Sequence, residues 1–241
     1  MKKGLWMWQY QDGGASAAIE ACKEASCDAI IGKCGYQGTY YGNVYRDLVA
    51  QGHAANLQVG AEIYSYPDTV GVDSYVLNQA LIAGADFLVI DAEEEWESAP
   101  ADDMIVLCAE IQRSKPIYGC TDFRGNRITL PYHIILNRYV VGWMPMIYPQ
   151  AFYPDRHAGY IAEAVNDSLA LYRYLTTIAP ATKILAPVIQ AYGGMNYAEV
   201  AQQIALSYEY GAHAFSVYVA HDFNPYARQS VHDAPTRCEY K

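Results

Sequence analysis

The chain has 241 residues, 52% of them hydrophobic, with a formal net charge of −10 and a sequence pI near 4.9. That much apolar material excludes a disordered polymer and suffices for a large core. The acidity argues against nucleic acid and anionic membrane surfaces as partners, because binding phosphate needs a basic face.

Apolar, strand-like runs alternate with helix-period segments from one end to the other. Residues 4–10 (GLWMWQY) lead into a helical segment at 15–26. Residues 28–34 (DAIIGKC) precede helix 43–56, and 58–66 (QVGAEIYSY) precede helix 72–84. Residues 86–93 (DFLVIDAE) precede helix 101–113, and 115–122 (KPIYGCTD) precede a Pro-interrupted segment at 128–138. Residues 141–149 (VGWMPMIYP) precede helix 158–178, and 183–192 (KILAPVIQAY) precede helix 197–211, where Val200, Ile204, Ala205 and Tyr208 recur at helical spacing. The eighth run is 212–220 (AHAFSVYVA). The 17 residues after 224 include Pro225 and Pro235 and leave room for a short last helix. Strict alternation predicts a parallel sheet, and eight such units predict one (β/α)8 barrel, a TIM barrel, forming a single domain over 1–241.

No run of about 18 apolar residues occurs, so no segment spans a bilayer. The opening MKKGLWMWQYQDGG has no long apolar stretch before Gln9 and reads as no signal peptide. A cytoplasmic protein, or one released without a signal sequence, is expected. The six cysteines (22, 27, 34, 108, 120, 238) show no CxxC and no Cys/His ligand spacing, and read as thiols in a reducing compartment. Tyrosine is the compositional outlier, with 23 residues. Its flat apolar face and hydroxyl suit a wet, sugar-binding cleft, and equally suit strand and helix packing.

The stretch ADFLVIDAEEEWE (85–97) ends an apolar strand in a burst of carboxylates. Barrel active sites lie at the C-terminal ends of the strands. Side chains alternate along a strand, so Asp91 and Glu93 share one face while Leu88 and Ile90 face the surrounding helices. Carboxylates inside a barrel need a partner or a task. Glu94, Glu95 and Glu97 read as a solvated loop before the next helix, whose N-terminus favours acids. Two close carboxylates can be held in different protonation states, and the one kept protonated can deliver its proton to a leaving-group oxygen, as glycoside hydrolysis requires. The D-x-E spacing puts the two Cα atoms about 6.5–7 Å apart and pointing the same way. That suits one acid, Glu93, with Asp91 as its orienting or charge-tuning partner.

These motifs resemble those of TIM-barrel glycoside hydrolases, the family 25 lysozymes and the family 18 chitinase-like enzymes. CDAIIGKCGYQGT (27–39) and NLQVGAEIYSYPD (56–68) resemble the second and third strands of the lysozymes. LVIDAEEEWE (88–97) resembles the D-x-E that ends the fourth strand in both groups, and the resemblance implies Glu93 as catalytic acid with Asp91 assisting. WMPMIYPQ (143–150) resembles the sixth-strand M-x-Y of the chitinase-like group, and implies that Tyr148 supports an N-acetyl group of the substrate. ILAPVIQAYGG (184–194) resembles that group's seventh strand. The chain departs from both patterns. Tryptophans stand on the first strand where the lysozymes carry an Asp, with Asp12 only in the following loop, and the chitinase-like D-x-x-D-x-D-x-E is reduced to Asp86, Val89, Asp91 and Glu93.

Other strand ends add candidate substrate-binding groups. Glu62 and Tyr64 share a face, and Glu62 is either a second carboxylate reaching across the barrel or the ion-pair partner of Lys33. Tyr148 and Gln150 share a face on the sixth strand, as do Gln190 and Tyr192 on the seventh. Trp6 and Trp8 face the barrel together, either as a sugar platform or as a plug. His221 and Asp222 follow the eighth strand without a second His, so neither a metal nor a cofactor is expected. The leading expectation is a glycoside hydrolase cleaving an O-glycosidic bond, with a glycan as partner and an N-acetylated cell-wall-type polysaccharide as the finer reading. The alternatives are a glycan-binding barrel without turnover, and a sugar-phosphate lyase or isomerase using Lys33 as Schiff base and Gly193-Gly194 as phosphate loop. Oligomeric state is not encoded in any motif.

Overall fold

The computed structural model describes residues 3–7, 10, 14–112, 114–122, 131–152, 160–178, 183–218 and 223–235. Trp8, Asp12, His221 and Asp222 lie outside the described residues.

The strands are β1 (Lys3–Met7), β2 (Ala29–Tyr36), β3 (Thr39–Tyr40), β4 (Gln58–Tyr64), β5 (Phe87–Asp91), β6 (Ile117–Thr121), β7 (Gly142–Ile147), β8 (Ile184–Leu185), β9 (Val188–Gln190) and β10 (Phe215–Tyr218). They pair in the order β1-β10-β9-β7-β6-β5-β4-β2, and β1 pairs with β2 to close the ring. Every pairing in the ring is parallel, which gives the closed (β/α)8 barrel expected from the alternation. The helices are α1 (Gly14–Glu24), α2 (Gly42–Ala54), α3 (Val70–Ala83), α4 (Ala101–Glu110), α5 (Pro131–Leu136), α6 (Pro149–Phe152), α7 (Ile161–Ile178), α8 (Tyr197–Glu209) and α9 (Pro225–Asp233).

Strand alternation sorts the core into two layers. Trp6, Ile31, Phe87, Val89, Tyr118, Cys120, Met144, Met146 and Val188 pack inside the barrel. Leu5, Ile30, Val59, Leu88, Ile90, Ile147, Ile189 and Val217 pack outward against the helices. Leu88 and Ile90 therefore face the helices, as their spacing predicts, and Val89 faces inward. Trp6 fills the interior: it is 3% exposed, and its indole N–H donates to Ser216 Oγ at 2.8 Å.

Helix ends follow local chemistry. Asn196 and Glu199 form a reciprocal capping box on α8, and Asn224 caps α9 just before Pro225. The seventh predicted strand is two pieces, β8 and β9, separated by Ala186-Pro187; proline has no N–H for a ladder. The sixth ends at Ile147, and Pro149 opens α6. Gln150 is thus on a helix and not on the strand face assigned from alternation, because proline at a first helical position starts a turn instead of extending the sheet. A short antiparallel strand, β3, follows β2 and was not among the eight predicted runs. Among the described residues, no helix is long and apolar enough to cross a membrane. The five described cysteines are free and buried.

Candidate functional site

The C-terminal ends of β2, β4 and β5 bring the acids together. In register, Lys33 pairs with Glu62, and Tyr64 with Asp91. Between Lys33 and Gly35 the β2–β4 register slips by one residue, a bulge at Cys34. The slip makes Tyr36, and not Gly35, the next residue beyond Lys33 that lies level with Tyr64. The Lys33 ammonium rests 4.4 Å from the Tyr36 ring centroid and 5.8 Å from that of Tyr64, within cation–π range. Burial lowers its pKa, while Glu62 and Asp91 raise it.

Glu62 and Asp91 are 1% and 2% exposed. Burial drives the Glu62 carboxyl up to about 7, against the opposing pull of Lys33. Asp91 is raised well above the carboxylate range, first by burial, then by the charges of Glu93 and Glu62. Cys120 lies level with Asp91 on the neighbouring strand, and its thiol is pushed up by burial and by the charge of Asp91. Glu62 Oε1 and Asp91 Oδ1 have no hydrogen-bond partner among the described residues. The strand expected to run to Glu93 ends at Asp91, and Glu93, two residues on, is half-buried and precedes a single 3-10 turn, Glu94–Trp96, without a side-chain cap.

Aromatic rings flank the acids on two sides. On one, Tyr64 and Tyr66 lie 5.1 Å apart, and the hydroxyls of Tyr36 and Tyr66 share a 2.9 Å hydrogen bond. On the other, Tyr148, Tyr192 and Tyr218 form a triangle with centroids 5.6–5.9 Å apart, the edge-to-face and tilted spacings aromatic groups favour. Tyr218 is raised by burial and by Glu62, Tyr192, Asp91 and Glu93, so it faces the acids from across the barrel.

The structure thus gathers Lys33, Glu62, Tyr64, Asp91 and Glu93 at one end of three adjacent strands, with Tyr148 and Tyr192 opposite. Gln190 is occupied in holding the rim. Its Oε1 accepts the Gln150 backbone N–H at 3.0 Å, and its own backbone exchanges hydrogen bonds with the Gln203 amide at 3.2 and 3.1 Å. Gly193 and Gly194 follow with φ of +70° and +84°, the left-handed turn that leaves the rim.

Strand alternation did not reveal two neighbours of the site. Glu95 is not a solvated loop residue, because the 3-10 turn folds it back and both its oxygens receive the Tyr64 hydroxyl, at 2.8 and 3.0 Å. Tyr218 carried a usable signal, its place at the C-terminal end of the eighth strand, two residues beyond inward Ser216. No spacing rule announces the Tyr36 position, which depends on the bulge.

No protein-family model matches the chain, and no curated protein matches its sequence. Solved structures do resemble it. A class V chitinase from Pseudomonas fluorescens Pf-5 superposes with a TM-score of 0.66 at 10% identity, covering 95% of this chain and 98% of the other. A class V chitinase from Nicotiana tobaccum gives 0.64 at 10% identity, covering 96% and 97%. A xylanase-A-amylase inhibitor protein gives 0.62 at 12% identity, covering 96% of both chains. Sugar-phosphate enzymes also match, 3-hexulose-6-phosphate synthase among them. At these identities the likeness establishes the barrel fold alone.

Proposed function

We propose that this protein is an O-glycoside hydrolase acting on a glycan, with Glu93 as general acid and Asp91 as the partner that shares its proton. The observation that carries the reading is the contrast between the two carboxyls. Asp91, the last residue of β5, is buried with its pKa raised, and Glu93, two residues past the strand, is half-buried at the mouth. Two close acids in unlike surroundings hold one proton between them, and the more exposed one can deliver it. In the reaction Glu93 protonates the glycosidic oxygen as the anomeric C–O bond breaks, and a water then adds at that carbon and gives its proton to the Glu93 carboxylate, which restores the acid. The tyrosines on either side offer ring faces and hydroxyls for sugar contact. The chitinase likeness supports this reading at the level of fold, on the chitinase-like half of the sequence resemblance; the lysozyme half rests on the sequence alone.

The test is a reducing-end assay on peptidoglycan, chitin oligosaccharides and neutral α- and β-glucans, with wild type and Glu93→Gln side by side. Release by wild type, falling by about 10²–10⁴-fold in Glu93→Gln, is the expected result. Equal release by both proteins would place the acid elsewhere.

One observation favours a second reading, a glycan-binding barrel without turnover: the fold is shared with a protein whose name describes an inhibitor. Binding of one oligosaccharide by both proteins, with cleavage by neither, is its signature. The lyase reading keeps a buried Lys33 with a lowered pKa, but the adjoining Glu62 and Asp91 oppose a phosphate ester. Schiff-base trapping on wild type and its loss in Lys33→Ala would be required to sustain it.

A further inference from the structure

Three strand ends, β2, β4 and β5, put one ammonium and three carboxyls at the same mouth: Lys33, Glu62, Asp91 and Glu93. Lys33 is the one basic side chain that the described C-terminal strand ends carry. Glu95 adds a fourth acid through Tyr64. Two of these acids, Glu62 and Asp91, come from adjacent strands and are nearly inaccessible, and each keeps an oxygen without a hydrogen-bond partner among the described residues. A buried acceptor left without a donor is unfavourable, so a ligand that brings donors recovers that loss on binding.

The chemistry of the donor can be narrowed. A sugar hydroxyl offers one O–H. An acetamido group offers one N–H and brings a carbonyl that needs a donor of its own. An ammonium offers three N–H donors and no acceptor. Its positive charge is matched by the excess of carboxyls over Lys33 and by the faces of the flanking tyrosines. A carboxylate or phosphate on the ligand would meet the same acids as like charge.

We infer that the glycan bound at this mouth carries a free amino group, with Glu62 and Asp91 accepting its N–H donors from two neighbouring strands: a glucosamine-type sugar and not the N-acetylated one that the sequence resemblance implies. This rests on the glycoside hydrolase reading and narrows it to one substrate class. Glu62 is the residue that makes the difference, because Asp91 alone could meet the single N–H of an acetamido group.

The test uses three pentamers with the same β-1,4-linked backbone that differ only at C2: glucosamine, N-acetylglucosamine and glucose. Each is titrated calorimetrically into the full-length Glu93→Gln variant near neutral pH, where Glu62 is partly ionised, and into the same protein carrying Glu62→Gln. The glucosamine pentamer should bind about 10-fold or more tightly than the other two. Glu62→Gln should remove most of that preference, weakening the glucosamine pentamer far more than the glucose pentamer. Tighter binding of the N-acetylglucosamine pentamer would overturn the inference and leave the hydrolase reading standing, as would a preference indifferent to Glu62→Gln. Failure of all three to bind a folded protein would sink both. If the double variant does not fold, raising the pH on Glu93→Gln serves instead. The preference must fade as the sugar amine loses its proton, and its persistence would overturn the inference.

Discussion

Glu62 shows at a single residue how position sets chemistry. It is the one charged residue of its strand, and alternation turns it inward opposite Lys33. Burial lifts its carboxyl to about 7, above the ordinary value of 4.5. The folded state therefore holds a proton through a window in which the unfolded chain has released it, and stability falls as the pH rises from 4.5 towards 7. The burial contribution is complete below the window and gone above it. Its size is about 3 kcal/mol at most. Asp91 acts in the same direction. Urea unfolding at roughly pH 5 and pH 8 should show wild type losing stability across the interval, and Glu62→Gln should flatten much of that loss. An unchanged slope would mean that the Lys33 ammonium keeps Glu62 ionised throughout.

At the scale of elements, the second strand and its hairpin decide which side chains enter the mouth. Tyr36 and Thr39 pair across a two-residue turn, Gln37-Gly38, with φ of +44° and +76°. Positive φ at both positions is what a tight hairpin requires. Upstream of it, Gly35 passes under the return strand, where an added Cβ would lie 2.5 Å from the Thr39 carbonyl oxygen and 2.7 Å from a Val76 methyl. Gly35→Ala should thus cost about 1–3 kcal/mol through overpacking against backbone, read as a lower urea midpoint at constant m. It should also weaken sugar binding, since Tyr36 sits next in the chain beneath the Lys33 ammonium. Retention of full stability would show that the hairpin yields freely. The barrel strands and the helices between them were legible because their apolar residues recur at periods of 2 and 3.6. Asp91, Glu62, Tyr64 and Lys33 were legible for the same reason, since each lies within a strand, whereas Glu93 lies two residues past the end of β5, at the start of the 3-10 turn. The bulge at Cys34, the fold-back of Glu95 and the helical start at Pro149 break that period at the strand ends, where the loops decide direction. The site is made of both kinds of residue, so periodicity alone recovers its floor and misses part of its rim.

The whole molecule depends on a seam, because a barrel has to close its last strand onto its first. Here β1 meets β10 and β2 through mostly apolar side chains, and Lys3 is the charged residue on the join. Lys3 is 2% exposed; its ammonium donates to the carbonyls of Val231 at 2.9 Å and His232 at 3.0 Å, at the end of α9. Its backbone N–H meets the Asp28 carboxylate at 3.2 and 3.3 Å. One residue therefore ties the first strand to the last helix and to the entrance of β2. A cation at a helix C-terminus is also favoured by the macrodipole. Lys3→Met keeps the length of the side chain and removes its donors, leaving two carbonyls short of a partner, at a cost of about 1–3 kcal/mol. For a chain of this size, each kcal/mol moves the melting midpoint by about 2–4 °C, so a fall of about 2–12 °C is expected in a thermal circular-dichroism scan. The contrast is Arg228, which reaches Glu24 on α1 from the same helix but across the surface, where the two side chains are 31% and 55% exposed. An ion pair so hydrated contributes about 0–1 kcal/mol, and its loss in Glu24→Gln should barely move the midpoint. Equal shifts from the two variants would mean that the seam is held by packing alone. A large shift confined to Lys3→Met would mean that closure of the barrel, which sets the mouth where the acids meet, rests on one buried amine at the opposite end of the molecule.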